Sequence, residues 1–176
     1  MAELATPPNE PSAILEEEAH LVFPDFNADV AWELGSTLRQ RLRDLTPLPA
    51  SISISLANSN RVLFQAVSRP GAVPDNEVWV LRKRATVLRW GHSTWYFSRK
   101  FDSDEQLFAA KNGLSPEAAA RYAIHGGAVP VFVAGVEGVV GVVVVSGLKQ
   151  AQDHQVVVEA MRVYLQKVYT DGGRRV

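Results

Sequence analysis

Ser51-Ile52-Ser53-Ile54-Ser55-Leu56 alternates apolar and polar residues without a fault. Side chains leave a strand on opposite faces at each step, so Ile52, Ile54 and Leu56 share one face of a half-buried strand and the three serines share the other. Asn58-Ser59-Asn60 then offers side chains that tolerate turn geometry, and Arg61 to Val67 reads as the returning strand of a hairpin. After a loop from Ser68 to Pro74, Asp75 is placed to cap a helix that carries Val78, Leu81, Ala85 and Leu88 on one side and ends near Gly91.

The same order recurs downstream. Val129 to Ala134 and Val139 to Val145 form a second hairpin around Gly135-Val136-Glu137-Gly138, and its second strand is apolar on both faces, the pattern of a covered central strand. Ser146-Gly147 leaves the strand and Asp153 offers a cap. Val157, Met161, Tyr164 and Val168 line the last helix against a polar stripe of Glu159, Arg162 and Gln166. Two hairpin-then-helix units can merge their ribbons into one mostly antiparallel sheet of about five strands flanked by helices, an α+β layered domain of profilin or PAS-like appearance.

Upstream, Asn27 supplies a cap for an amphipathic helix with Ala31, Leu34, Leu38, Leu42 and Leu45 at three- and four-residue spacing, ended by Pro47 and Pro49. Ala13 to His20 reads as a short helix that Pro24 prevents from continuing. Residues 1–12, acidic and proline-bearing, read as a disordered leader that is neither a signal nor a transit peptide. The domain is expected over 13–170 and a flexible tail over 171–176. Between the units, 92–112 reads as short helices and loops, and Ser115-Pro116-Glu117 starts a helix through Tyr122.

Composition narrows the function. The 176 residues, 47% hydrophobic and 21% charged, suffice for one core, and a net charge of -1 lacks the basic excess needed to neutralise many phosphates. Nucleic acid is not an expected partner. With no cysteine there is no thiolate metal site, disulfide or cysteine nucleophile, which suits a cytoplasmic protein. The apolar run from Val129 to Val145 is broken by Pro130, Glu137 and glycines, so no membrane span is expected.

Trp79, Lys83, Thr86 and Trp90 fall on one stripe of the helix over 75–90, with Arg82 beside it. Two indoles around a cation suit a planar ligand, Lys83 or Arg82 pairing its carboxylates. The plainer alternative packs the tryptophans under a neighbouring subunit and leaves the Lys83 head in water. His125-Gly126-Gly127 puts a titratable ring beside a flexible backbone, as a haem-iron ligand requires, or else marks a helix C-terminus with glycine in left-handed geometry. Ser146-Gly147 and Asp153-His154 bracket the start of the last helix, suited to an anion or to acid-base work, or simply to a cap. No hydrolase elbow, phosphate loop, dinucleotide fingerprint or zinc pattern is present in the chain.

Taken together, Asp75-Asn76, Trp79, Arg82-Lys83, His125-Gly126-Gly127 with Pro130, Val145-Ser146-Gly147-Leu148 and Asp153-His154 resemble the GlcG/HbpS-like, or haem-degrading domain, family over about residues 12–168. The match is to its branch of small stand-alone proteins. That resemblance implies a profilin-like fold, assembly of subunits into dimers and larger rings or shells, and binding of haem or a related tetrapyrrole in some members. It brings Asn76, Trp79, Arg82, Lys83, His125, Gly126, Gly127, Ser146, Gly147, Asp153 and His154 forward as matching positions without assigned roles. Three functions follow in order: a non-enzymatic homo-oligomeric binding protein; a haem binder or degrader with His125 on the iron and Lys83 or Arg82 on the propionates; and an adaptor docking a protein partner through the leader.

Overall fold

The computed structural model describes residues 3–170. The chain runs α1 (Pro11–Ala19), β1 (Val22–Phe23), α2 (Ala28–Leu45), β2 (Ser51–Leu56), β3 (Val62–Val67), α3 (Asp75–Trp90), α4 (Thr94–Lys100), α5 (Glu105–Lys111), α6 (Pro116–Ala119), β4 (Ala128–Val133), β5 (Gly141–Ser146) and α7 (Gln150–Thr170). The five strands form one sheet in the order β1-β4-β5-β2-β3. The two hairpins are joined by antiparallel pairing of β2 with β5, in the register Ile52 to Val145 and Ile54 to Val143. Their ribbons do merge into a shared sheet. The added element is β1, which pairs parallel with β4 at the edge and was not visible as a two-residue strand in the sequence.

Alternation decides what each face buries. Ile52, Ile54, Val143 and Val145 point into the larger core with Leu34, Leu38, Leu42, Met161 and Leu165 from α2 and α7. Val142 and Val144 point the other way, against Val80 and Val87 of α3. Strand β5 is thus covered on both faces, as its unbroken valines require. Burying each of those side chains contributes about 1.5–3 kcal/mol. Asn27 caps α2 as expected, its Oδ1 accepting from the N–H groups of Asp29 and Val30.

Three local expectations are corrected. The serine face of β2 is not a solvent face, because α3 lies over it; Ser51, Ser53 and Ser55 are buried, and Ser55 Oγ accepts from Arg84 Nε at 2.6 Å. Helix α3 turns only the first half of its expected apolar stripe outward, leaving Val78 50% and Leu81 63% exposed, while Leu88 packs beside Val80 and Val87, and Lys83 and Thr86 face the sheet. Periodicity marks a stripe but not which stripe is buried, and here buried hydrogen-bond partners outweigh hydropathy. Residues 3–12, expected to belong to a disordered leader, lie along the body instead. Trp95 Nε1 donates to Pro8 O at 2.8 Å, the Ala5 N–H donates to Glu159 Oε1 at 2.9 Å, and Leu4 rests on the larger core. The expected tail, 171–176, lies outside the described residues.

Candidate ligand site

At the centre of the site is a buried ion pair. Lys83 on α3 and Asp153 on α7, each 2% exposed, meet at 3.0 Å. Lys83 Nζ also donates to Gly126 O at 2.8 Å and Val145 O at 3.2 Å, so its three hydrogens are all spent. Asp153 Oδ1 accepts from the Leu148 N–H at 3.0 Å and Oδ2 from the Gly147 N–H at 3.3 Å. Burial pushes the Asp153 carboxyl up from its ordinary range, and Lys83 and the two amides oppose that rise. The pair fastens the helix of the first unit to the helix and loop of the second. Asp153 is not a cap for its own helix, and the Lys83 head is not in water.

Gly126-Gly127 exists to admit this pair. Gly127 has φ +129°, and a Cβ there would stand 2.3 Å from Val145 O and 2.8 Å from Lys83 Nζ. At Gly126 a Cβ would meet Gln150 O at 2.5 Å. The glycines do not end a helix, since α6 stops at Ala119. They allow the backbone to approach β5 and α7 closely enough for Gly126 O to reach the ammonium.

Above the pair opens a cavity of about 280 Å³ lined by Asn76, Trp79, Lys83, His125, Ser146, Gly147, Leu148, Gln150 and Asp153. Seven of the eleven residues singled out from sequence therefore surround one space. Asn76 Oδ1 accepts from the Val73 N–H, and Asp75 accepts from Trp79 Nε1 at 3.1 Å, fixing the indole at the rim. The His125 ring meets Trp79 edge-on with centroids 5.0 Å apart. Its Nδ1 lies 3.4 Å from Glu105 Oε1.

Arg82 stands just outside. Its Nε and Nη2 donate to Tyr122 O, its Nη2 lies 3.5 Å from Glu105 Oε2, and its guanidinium covers the Trp79 ring at 4.8 Å. His125 and Arg82 together hold the Glu105 carboxyl below its ordinary value, the His125 ring beside it being the larger cause. Arg82 and Glu105 also form one wall of a second cavity of about 490 Å³ with Phe108, Leu114, Tyr122 and Ile124.

The remaining candidates fall elsewhere. Trp90 joins a separate aromatic cluster with Phe97, Phe108 and Tyr122, so the two indoles of the α3 stripe do not enclose one ligand. Thr86 Oγ1 donates to Ala123 O. His154 is fully buried, stacked on Trp95 with Nε2 3.4 Å from Glu17 Oε2, and does not reach the cavity. Two site residues went unnoticed in the sequence: Glu105, which starts α5 behind the Asp104 cap, and Gln150, whose Oε1 accepts from the Gly126 N–H and Ser98 Oγ. Neither belongs to a motif. Among the described residues no cluster of three or more metal-ligating side chains occurs, and no helix is long and apolar enough to cross a membrane.

Fold and site define an α+β protein with a small cavity clamped between two hairpin-and-helix units. The family model described as haem degrading protein HbpS-like matches residues 26–162, and the chain belongs to that family. A UPF0303 protein of Streptomyces coelicolor is 40% identical over 164 residues, covering 92% of this chain and 99% of that one. A UPF0303 protein of Psychromonas ingrahamii is 36% identical, covering 88% and 92%. The crystal structure of the Ybr137w protein superposes with a TM-score of 0.83 at 28% identity, over 91% of this chain and 90% of that one. That of HbpS gives 0.58 at 17% identity, over 80% and 89%, a likeness of fold.

Proposed function

We propose that this chain is a non-enzymatic binding protein for a small polar molecule, held in the cavity between α3, the His125 loop and α7, and that copies of it assemble in the cytoplasm. The observation that carries the reading is the cavity itself: its walls are fixed by a fully satisfied buried ion pair, while Trp79 and His125 stand at its mouth. A site held so firmly by its supports is prepared for a ligand rather than assembled by one. Val78 and Leu81 on the outer face of α3 support self-assembly, since both are large apolar side chains left 50% and 63% exposed. Native mass spectrometry of protein taken from its own cell tests both parts. A retained small molecule on a multiple of 19.3 kDa is expected. A bare subunit at micromolar concentration would overturn the reading.

Haem fits poorly within one subunit. Lys83 has no hydrogen left for a propionate, and Arg82 is engaged by Tyr122 O and Glu105. Haemin titration tests this alternative: a Soret shift that disappears in His125→Ala would restore it, and an unchanged spectrum would end it. The adaptor reading is weakened in turn, because the leader is engaged by Trp95 and Glu159 of its own body.

A further inference from the structure

His125 carries two ring nitrogens in different surroundings. Nδ1 has no solvent exposure and no formed hydrogen bond, and the polar atom facing it is Glu105 Oε1 at 3.4 Å, itself buried and unbonded, whereas the ring as a whole is 42% exposed and lines the cavity. Among the described residues no partner stands on Nε2. A carboxylate on one imidazole nitrogen fixes the proton there and leaves the other as an acceptor. The edge of Trp79 holds the ring plane, and Glu105 is itself held by Arg82, so the imidazole is oriented from two sides.

The other walls complete the chemistry. The only lysine lining the cavity has spent its hydrogens on Gly126, Val145 and Asp153, and Arg82 faces Tyr122 O and Glu105. No cation is left to pair with a carboxylate or phosphate. The Trp79 indole gives an apolar face at the mouth.

On the reading of this cavity as a ligand site, we infer that Glu105 locks His125 with its proton on Nδ1, and that the bare Nε2 receives a hydrogen bond from an uncharged ligand carrying a hydroxyl or ring N–H beside a flat apolar part. Glu105 acts as a positioning residue. His125 touches the ligand. Anions are discriminated against, since a carboxylate would meet the lone pair of Nε2 and find no cation within the cavity.

The test uses the full-length chain labelled with ¹⁵N, the His125 signal being assigned by its disappearance in His125→Ala. At about pH 8, above the ordinary histidine range, the wild type should show a protonated Nδ1 and a bare Nε2. Glu105→Ala should move the proton to Nε2 while the other histidine signals stay in place. Phenol, anisole and benzoate are then added in turn. Phenol should shift both the His125 and the Trp79 indole signals, with anisole and benzoate about tenfold weaker, the effect of one lost hydrogen bond. His125→Ala should erase that difference. A proton on Nε2 in the wild type, or anisole or benzoate matching phenol, overturns the inference while leaving the cavity as a ligand site. If none of the three shifts either signal, the cavity reading falls and the inference falls with it.

Discussion

The two hairpin-and-helix units follow one plan and use their helices in opposite ways. Helix α7 buries ten residues, with Val157, Met161, Tyr164 and Leu165 in the larger core. Helix α3 buries only four, and two of these are Lys83 and Thr86. The second unit builds stability. The first divides its inward face between Val80 and Val87 and the polar Lys83 and Thr86, and leaves Val78 and Leu81 outside. Where a helix buries polar side chains while leaving apolar ones exposed, the buried polar residues point to the site.

The strongest way to break this contrast is at the joint between the units. Gly127→Ala places a Cβ against Val145 O and Lys83 Nζ at a positive φ, and we expect no cooperative unfolding transition by circular dichroism. Next, Met161→Ala on α7 should cost about 2–5 kcal/mol in urea unfolding, since the side chain is fully buried. On α3 the matching change Leu81→Ala should cost no more than about 0.5 kcal/mol at a dilution where the protein is a single subunit, because that side chain is largely exposed there. Equal losses at the two positions would erase the comparison.

A smaller effect sharpens the site. The Glu105 carboxyl is held below its ordinary value of 4.5 by His125 and Arg82, so its contribution to stability is fully present above that value and fades as pH falls through the lowered folded value. Melting temperatures of wild type and Glu105→Gln should differ at neutral pH and converge on acidification below about 4.5. A gap that stays constant throughout would mean that the carboxylate charge is not what matters.

Much of the fold was legible because period and turn chemistry agree along β2, β5, α2 and α7. The alternation marks β2 as a strand though not the burial of its serines, and the double-faced valines of β5 and the Asn27 cap say the same thing as the tertiary contacts. The orientation of α3 was not legible, since Val78 and Leu81 obey the core pattern while Lys83 has its partners 43, 62 and 70 residues away. Seven site positions emerged from short motifs, whereas Glu105 carries no local signal for its pairing with His125 across the α5–β4 connection. Packing also undid the leader: proline and acidity favour disorder, yet Glu17 reaches Arg162 at 2.8 Å and Glu18 accepts from the Ser93 N–H, holding the adjoining α1 in place.

The claim that the Lys83–Asp153 contact is what fastens the two units is open to one direct measurement. A double-mutant cycle of Lys83→Met and Asp153→Asn, read by urea unfolding, should show each single change costing about 3–5 kcal/mol and the pair costing well under their sum, a coupling of about 2–3 kcal/mol. Additive losses, to within about 0.5 kcal/mol, would contradict it.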